Sequence, residues 1–196
     1  SFKRNAKDEQ KAVAVVHELI DSEDKYRTDL GRTLEFLKPL VEAFEHNASE
    51  FRTVQSFVNN LVTIEQLHIR LGERLDALDI PADAAPAPGS LQRVATTFTA
   101  FIASAPTFDL SYATHADTYE NCLDVLKSER EEDDHVQLFL QATDEALRQH
   151  NLQWGAALYR PVKRVMDYRG FFERALNLLA SLRWPRRRAS FATRLQ

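Results

Sequence analysis

The chain has little cysteine, glycine or proline, and each shortage excludes something. Cys122 is the one cysteine among 196 residues, so no internal disulfide can form and a reducing, cytoplasmic setting is expected. Five glycines and seven prolines are too few for a many-turned β architecture, whereas Leu, Ala, Glu and Arg are abundant and favour helix. An all-α fold follows. No apolar run approaches the ~20 residues that span a bilayer, so no transmembrane segment is expected, and the start Ser1-Phe2-Lys3-Arg4 does not read as a signal peptide. Without an initiator Met, the chain is expected to be a piece of a larger protein.

The parts that common catalytic chemistries need are missing too. There is no glycine-rich phosphate loop, no Cys/His cluster and no H-E-x-x-H helix, which leaves nucleotide hydrolysis and zinc chemistry without their machinery. No metal or cofactor is implied. His17, His46, His68, His115, His135 and His150 are scattered along the chain and are expected at surfaces or between helices. Covalent catalysis is not expected.

What is present is enough for one globular domain, 1–196, with a continuous core: 44% of residues are hydrophobic and 28% charged. The net charge of −4 conceals a split, because from Arg160 onward ten Lys/Arg face two Asp/Glu, a local +8 that leaves −12 for the rest. Glu129, Glu131, Glu132, Asp133 and Asp134 form an acidic cluster, expected at a solvated helix end or loop. The basic end, with Arg183, Arg186, Arg187 and Arg188, suits an acidic phospholipid or an acidic protein face, with recruitment to membrane or cytoskeleton. Nucleic acid is not expected, because no aromatic stacking pattern accompanies the arginines. Arg187-Arg188-Ala189-Ser190 matches a basophilic kinase consensus, making Ser190 a candidate phosphosite.

Apolar residues recur three or four apart through most of the chain. Val16, Ile20, Tyr26, Leu30, Leu34, Leu37, Val41 and Phe44 define a first long helix, which Pro39 should kink or end near Lys38. A second runs from Phe51 to Leu78 and ends before Ile80-Pro81; residues 81–90, rich in Pro and Ala, read as a loop. Further helices are expected over Leu91–Ile102, about Asp109 to Lys127, and Val136 to about Tyr159. A last one should start near Pro161 and stop at Trp184-Pro185. No fixed-period repeat is present, which excludes a solenoid.

Three stretches carry a resemblance to a known family. The first is Val16-x-Glu18-Leu19-Ile20-x-x-Glu23-x-x-Tyr26-x-x-Asp29-Leu30, followed by Leu37-Lys38-Pro39-Leu40. The second is Phe57-Val58-Asn59-Asn60-Leu61 with Ile64, His68, Leu71 and Leu75. The third is Leu158-Tyr159-Arg160-Pro161-Val162-Lys163-Arg164-Val165-x-x-Tyr168, with Phe171-Phe172-Glu173. In order and spacing they resemble the signature regions of the Dbl-homology domain. The resemblance implies an elongated multi-helix bundle acting as a guanine-nucleotide exchange factor for a Rho-type small GTPase. The alternative it leaves is a non-catalytic Dbl-homology scaffold or GTPase-binding module.

By that resemblance, Glu18 engages the first switch of the GTPase, and Arg160, Lys163, Arg164 and Asp167 face the second. The residues themselves agree in one respect: at 100° per residue Glu18 lies about 120° from the centre of its helix's apolar stripe, so it points off the core. The family pattern usually has a glutamine where Lys163 stands, a basic residue at Asp167 and a proline at Arg169. The chain also stops soon after Arg188, short of most of the family's long final helix and of the pleckstrin-homology domain that customarily follows.

Overall fold

A computed structural model describes residues 2–43, 49–81, 89–132 and 134–192, with side chains within 10–41, 52–81, 89–131, 134–178 and at 180. The described residues form six helices: α1 (Phe2–Ala43), α2 (Ser49–Asp76), α3 (Ser90–Ser104), α4 (Thr107–Glu132), α5 (Asp134–Gln149) and α6 (Trp154–Ala192). Among the described residues there is no strand, and no helix is long and apolar enough to cross a membrane. The expected loop at 81–90 lies mostly outside the described residues.

The long helices are held by their buried stripes more than by helix propensity. In α1, Val16, Leu19, Tyr26, Leu30, Leu34, Leu37 and Leu40 are all buried at three- and four-residue spacing. That stripe explains why Pro39 does not end α1, which continues to Ala43. A proline inside a helix costs about 3 kcal/mol, while burial of Leu37 and Leu40, both at 0% exposure, contributes about 1.5–3 kcal/mol each.

The last two helices divide differently from the sequence expectation. The pattern from Val136 onward is broken at residues 150–153, because Asn151 takes a left-handed φ of 56°. Leu152 N–H donates to Leu147 O and Asn151 N–H to Arg148 O, both at 2.9 Å, so Asn151 and Leu152 close α5 with a Schellman motif. Leu147 and Leu152 are both buried, which supplies the motif's apolar clasp. Gln153 O then accepts from Ala157 N–H at 2.7 Å, and α6 begins at Trp154, about two turns before Pro161. Pro161 is therefore interior. Nor does Trp184-Pro185 stop α6, whose backbone stays helical to Ala192.

The chain divides into two compact units, each built from segments of several helices. The first comprises residues 1–24, 71–104 and 166–196. In it α3 lies against α6, with the Phe98 ring meeting Tyr168 at 4.6 Å and Phe172 at 5.0 Å between centroids. Arg74 of α2 reaches α3, its guanidinium 5.2 Å from the Phe101 ring centroid and 3.3 Å from Ser104 Oγ. The second unit comprises residues 25–70 and 105–165. There α2 meets α4 through Phe57 and His115, 4.6 Å apart, and α4 packs on α5.

Candidate functional site

Within the first unit, the outward side of α1 meets α6 through an ion pair between Glu18 and Arg174. Glu18 and Arg174 are each about half exposed, and the guanidinium forks onto the carboxylate: Nη1 donates to Oε2 at 2.8 Å and Nη2 to Oε1 at 3.0 Å. Arg174 also lies over Phe171, its Cζ 4.8 Å from the ring centroid. The fork raises the Arg174 pKa above its ordinary value, chiefly through the hydrogen bond to Glu18. Asp167 is half-buried on the same stretch of α6.

Five residues along α1 from Glu18, the chemistry inverts. Glu23 is 1% exposed, and Tyr168 donates its hydroxyl to Glu23 Oε2 at 2.5 Å. A carboxylate on the core stripe between Leu19 and Tyr26 requires such a donor, since an unpartnered buried charge is costly.

Within the second unit, Asp29 plays the corresponding part. Its side chain is 2% exposed and pairs with Arg160, while Lys25 Nζ at 3.6 Å and Arg32 Nη1 at 3.9 Å add weaker attraction from its own helix. Burial lowers the Arg160 pKa from its ordinary value, opposed by the Tyr26 hydroxyl. Arg164 is 3% exposed with its guanidinium 5.4 Å from the Tyr26 ring centroid. The expectation that Arg164 faces a partner therefore needs correction. On α6 the buried positions Ala157, Pro161, Arg164, Tyr168, Phe171 and Ala175 form one stripe at three- and four-residue spacing, and Arg164 belongs to it. Lys163, one residue earlier, is exposed.

The second unit also holds a set of buried polar residues. His68 hydrogen-bonds the Tyr112 hydroxyl and stacks edge-on against Tyr26 at 4.6 Å. His115 Nε2 donates to Leu158 O at 2.8 Å, and its Nδ1 has no hydrogen-bond partner. Desolvation pulls the His115 pKa down from 6.5 to about 4, so the ring is neutral at ordinary pH. Burial pushes the Cys122 thiol up to about 12, which keeps it protonated. As expected, these two histidines lie between helices.

No group of His, Cys, Asp or Glu among the described residues could hold a metal ion. An open groove of about 950 Å³ runs between α3 and α6 in the first unit, lined by Ala95, Thr99, Ala103, Phe172 and Leu176 among others. It gathers no charged side chain, so it offers nothing for bond-breaking chemistry. Of the acidic cluster, Glu131 lies in the last turn of α4 and Asp134 opens α5, both exposed, while Asp133 lies outside the described residues. The side chains of Arg183, Arg186, Arg187, Arg188 and Ser190 lie outside the described residues.

Sequence reasoning placed Glu18 correctly at the surface but passed over Glu23, Asp29 and Tyr168 as polar anchors. The signal was available, since Glu23 and Asp29 sit among apolar residues at the spacing of the α1 stripe. A protein-family model described as the RhoGEF domain matches residues 15–181, a span that takes in all three signature stretches. A search of curated proteins gave no match.

Proposed function

The chain belongs to the RhoGEF domain family, whose general activity is guanine-nucleotide exchange on Rho-type GTPases, and from that premise we propose that this protein is itself an active exchange module. The observation that carries the proposal is Glu18: it sits in its full first-region setting and projects from α1 with its carboxylate about half exposed. Exchange of this kind requires no covalent step. A surface that binds the nucleotide-free GTPase more tightly than the loaded form weakens nucleotide binding by the same factor, because the two affinities are linked.

In this reading Glu18 contacts the first switch, and Lys163 and Asp167 the second. Arg160 contributes through the part of its side chain left exposed by Asp29, and Arg164 supports the surface from below. Release of a fluorescent nucleotide from a panel of Rho-type GTPases tests the proposal. Accelerated release from at least one member is expected. Binding of nucleotide-free GTPase without acceleration would instead identify a scaffold.

The Arg183–Arg188 segment is proposed to recruit the protein to an acidic phospholipid surface, with an acidic protein face as the alternative. Exposed charges are screened over ~8–10 Å in physiological salt, so binding should weaken as salt rises. Co-sedimentation with anionic and neutral liposomes at two salt concentrations checks this. Phosphorylation of Ser190 would cancel part of the attraction.

A further inference from the structure

We infer that Arg174 is a positioning residue for Glu18, fixing the carboxylate in the orientation that a partner GTPase meets; the inference rests on the proposed role of Glu18. Three features set this pair apart from an ordinary surface contact. The contact is a two-bond fork, at 2.8 and 3.0 Å, which fixes the carboxylate plane as well as its location. Arg174 is itself held, because its guanidinium lies over Phe171, a ring only 7% exposed and so a fixed platform. Glu173, the neighbour that could compete for Arg174, is engaged by Arg169 Nε at 2.9 Å.

The fork leaves Glu18 able to act. A carboxylate has about four lone-pair sites, of which a bidentate guanidinium takes two. The remaining sites, on a side chain half exposed, can accept donors from a partner. A partner then meets a carboxylate already ordered, without first having to restrict a long mobile side chain. Lysine could not substitute fully, since an ammonium supplies a point charge and not a planar fork.

The test is a double-mutant cycle in the full chain, with Glu18→Ala, Arg174→Ala, the double variant and Arg174→Lys. Nucleotide-release kcat/KM is measured for each, with binding of nucleotide-free GTPase and thermal unfolding alongside. Arg174→Ala should lower kcat/KM about fivefold, and in the Glu18→Ala background the same change should have less than about a twofold effect. Arg174→Lys should recover part of the loss. Melting temperatures should stay close together. If Glu18→Ala changes neither exchange nor binding, the proposed role of Glu18 falls and the inference with it. If Glu18→Ala is damaging while Arg174→Ala is harmless, accelerates exchange, or adds its full loss to that of Glu18→Ala, the positioning role alone is overturned.

Discussion

Glu18–Arg174 and Asp29–Arg160 both join α1 to α6, yet the first leaves its side chains 51% and 49% exposed, whereas the second buries its carboxylate to 2%. The chemistry is the same and the physical consequence differs. An exposed pair is screened by water and salt and contributes at most about 1 kcal/mol to stability. A buried carboxylate must keep its cation, because a charge left alone in the core costs several kcal/mol. One pair can therefore be spared for a partner, while the other fixes how the helices meet.

The largest expected effect is on the buried pair. Asp29→Ala should destabilise the protein toward the lower end of ~3–5 kcal/mol, since Arg160 retains 25% side-chain exposure through which to reach water. Denaturant unfolding measures this, and a loss below about 1 kcal/mol would erase the contrast between the two pairs.

Next comes His115, which sharpens the account of the second unit's core. Its folded pKa of about 4 lies below the unfolded value of 6.5, so the unfolded state binds the proton first. The stabilisation is complete above pH 6.5 and is lost as pH falls toward 4, about 3 kcal/mol in all and about 2 kcal/mol of it by pH 5. Comparing wild type with His115→Gln at pH 7 and pH 5 isolates the contribution. Equal pH dependence in both proteins would remove it.

The contrast also shows what could be read from residues alone. Apolar spacing located the helices because burial of one stripe is what holds them. It misjudged Pro185 as a terminator, and the helix end it allowed as one outcome at Pro39 does not occur, since a local rule about backbone donors carries no information on the packing that overrides it. The α5–α6 break depends on one left-handed residue, Asn151, whose pattern neighbours read as continuous helix. Arg164 was assigned outward by the family resemblance, although its position in the stripe with Tyr168 and Phe171 already placed it inward. Glu23 and Asp29 taught the converse: an acid at a stripe position signals a buried donor elsewhere in the chain. For Glu23 that donor is Tyr168, 145 residues away and legible only after folding.

Tyr168→Phe should cost about 1.5–3 kcal/mol, because it removes a hydrogen bond to a charged group and leaves the Glu23 carboxylate buried without that donor. A thermal shift near zero would place Glu23 with the exposed class. Smaller again is Asp167→Lys, which restores the charge the family usually carries there. On a Rho-type GTPase that has not adapted to Asp167, exchange should rise by up to about tenfold, or ~1.4 kcal/mol. On one with a basic residue facing Asp167, exchange should fall. No change on any GTPase that the wild type activates would place Asp167 outside the interface.

The most direct test of the central claim, that Glu18 serves a partner and not the fold, pairs two readings on wild type and Glu18→Ala: nucleotide release from the Rho-type panel, and thermal unfolding. The account predicts that exchange falls by more than about tenfold while the melting temperature moves by no more than about 2–4 °C, the shift that ~1 kcal/mol gives a chain of this size. Exchange that survives the substitution, or a melting temperature that collapses with it, would contradict the account.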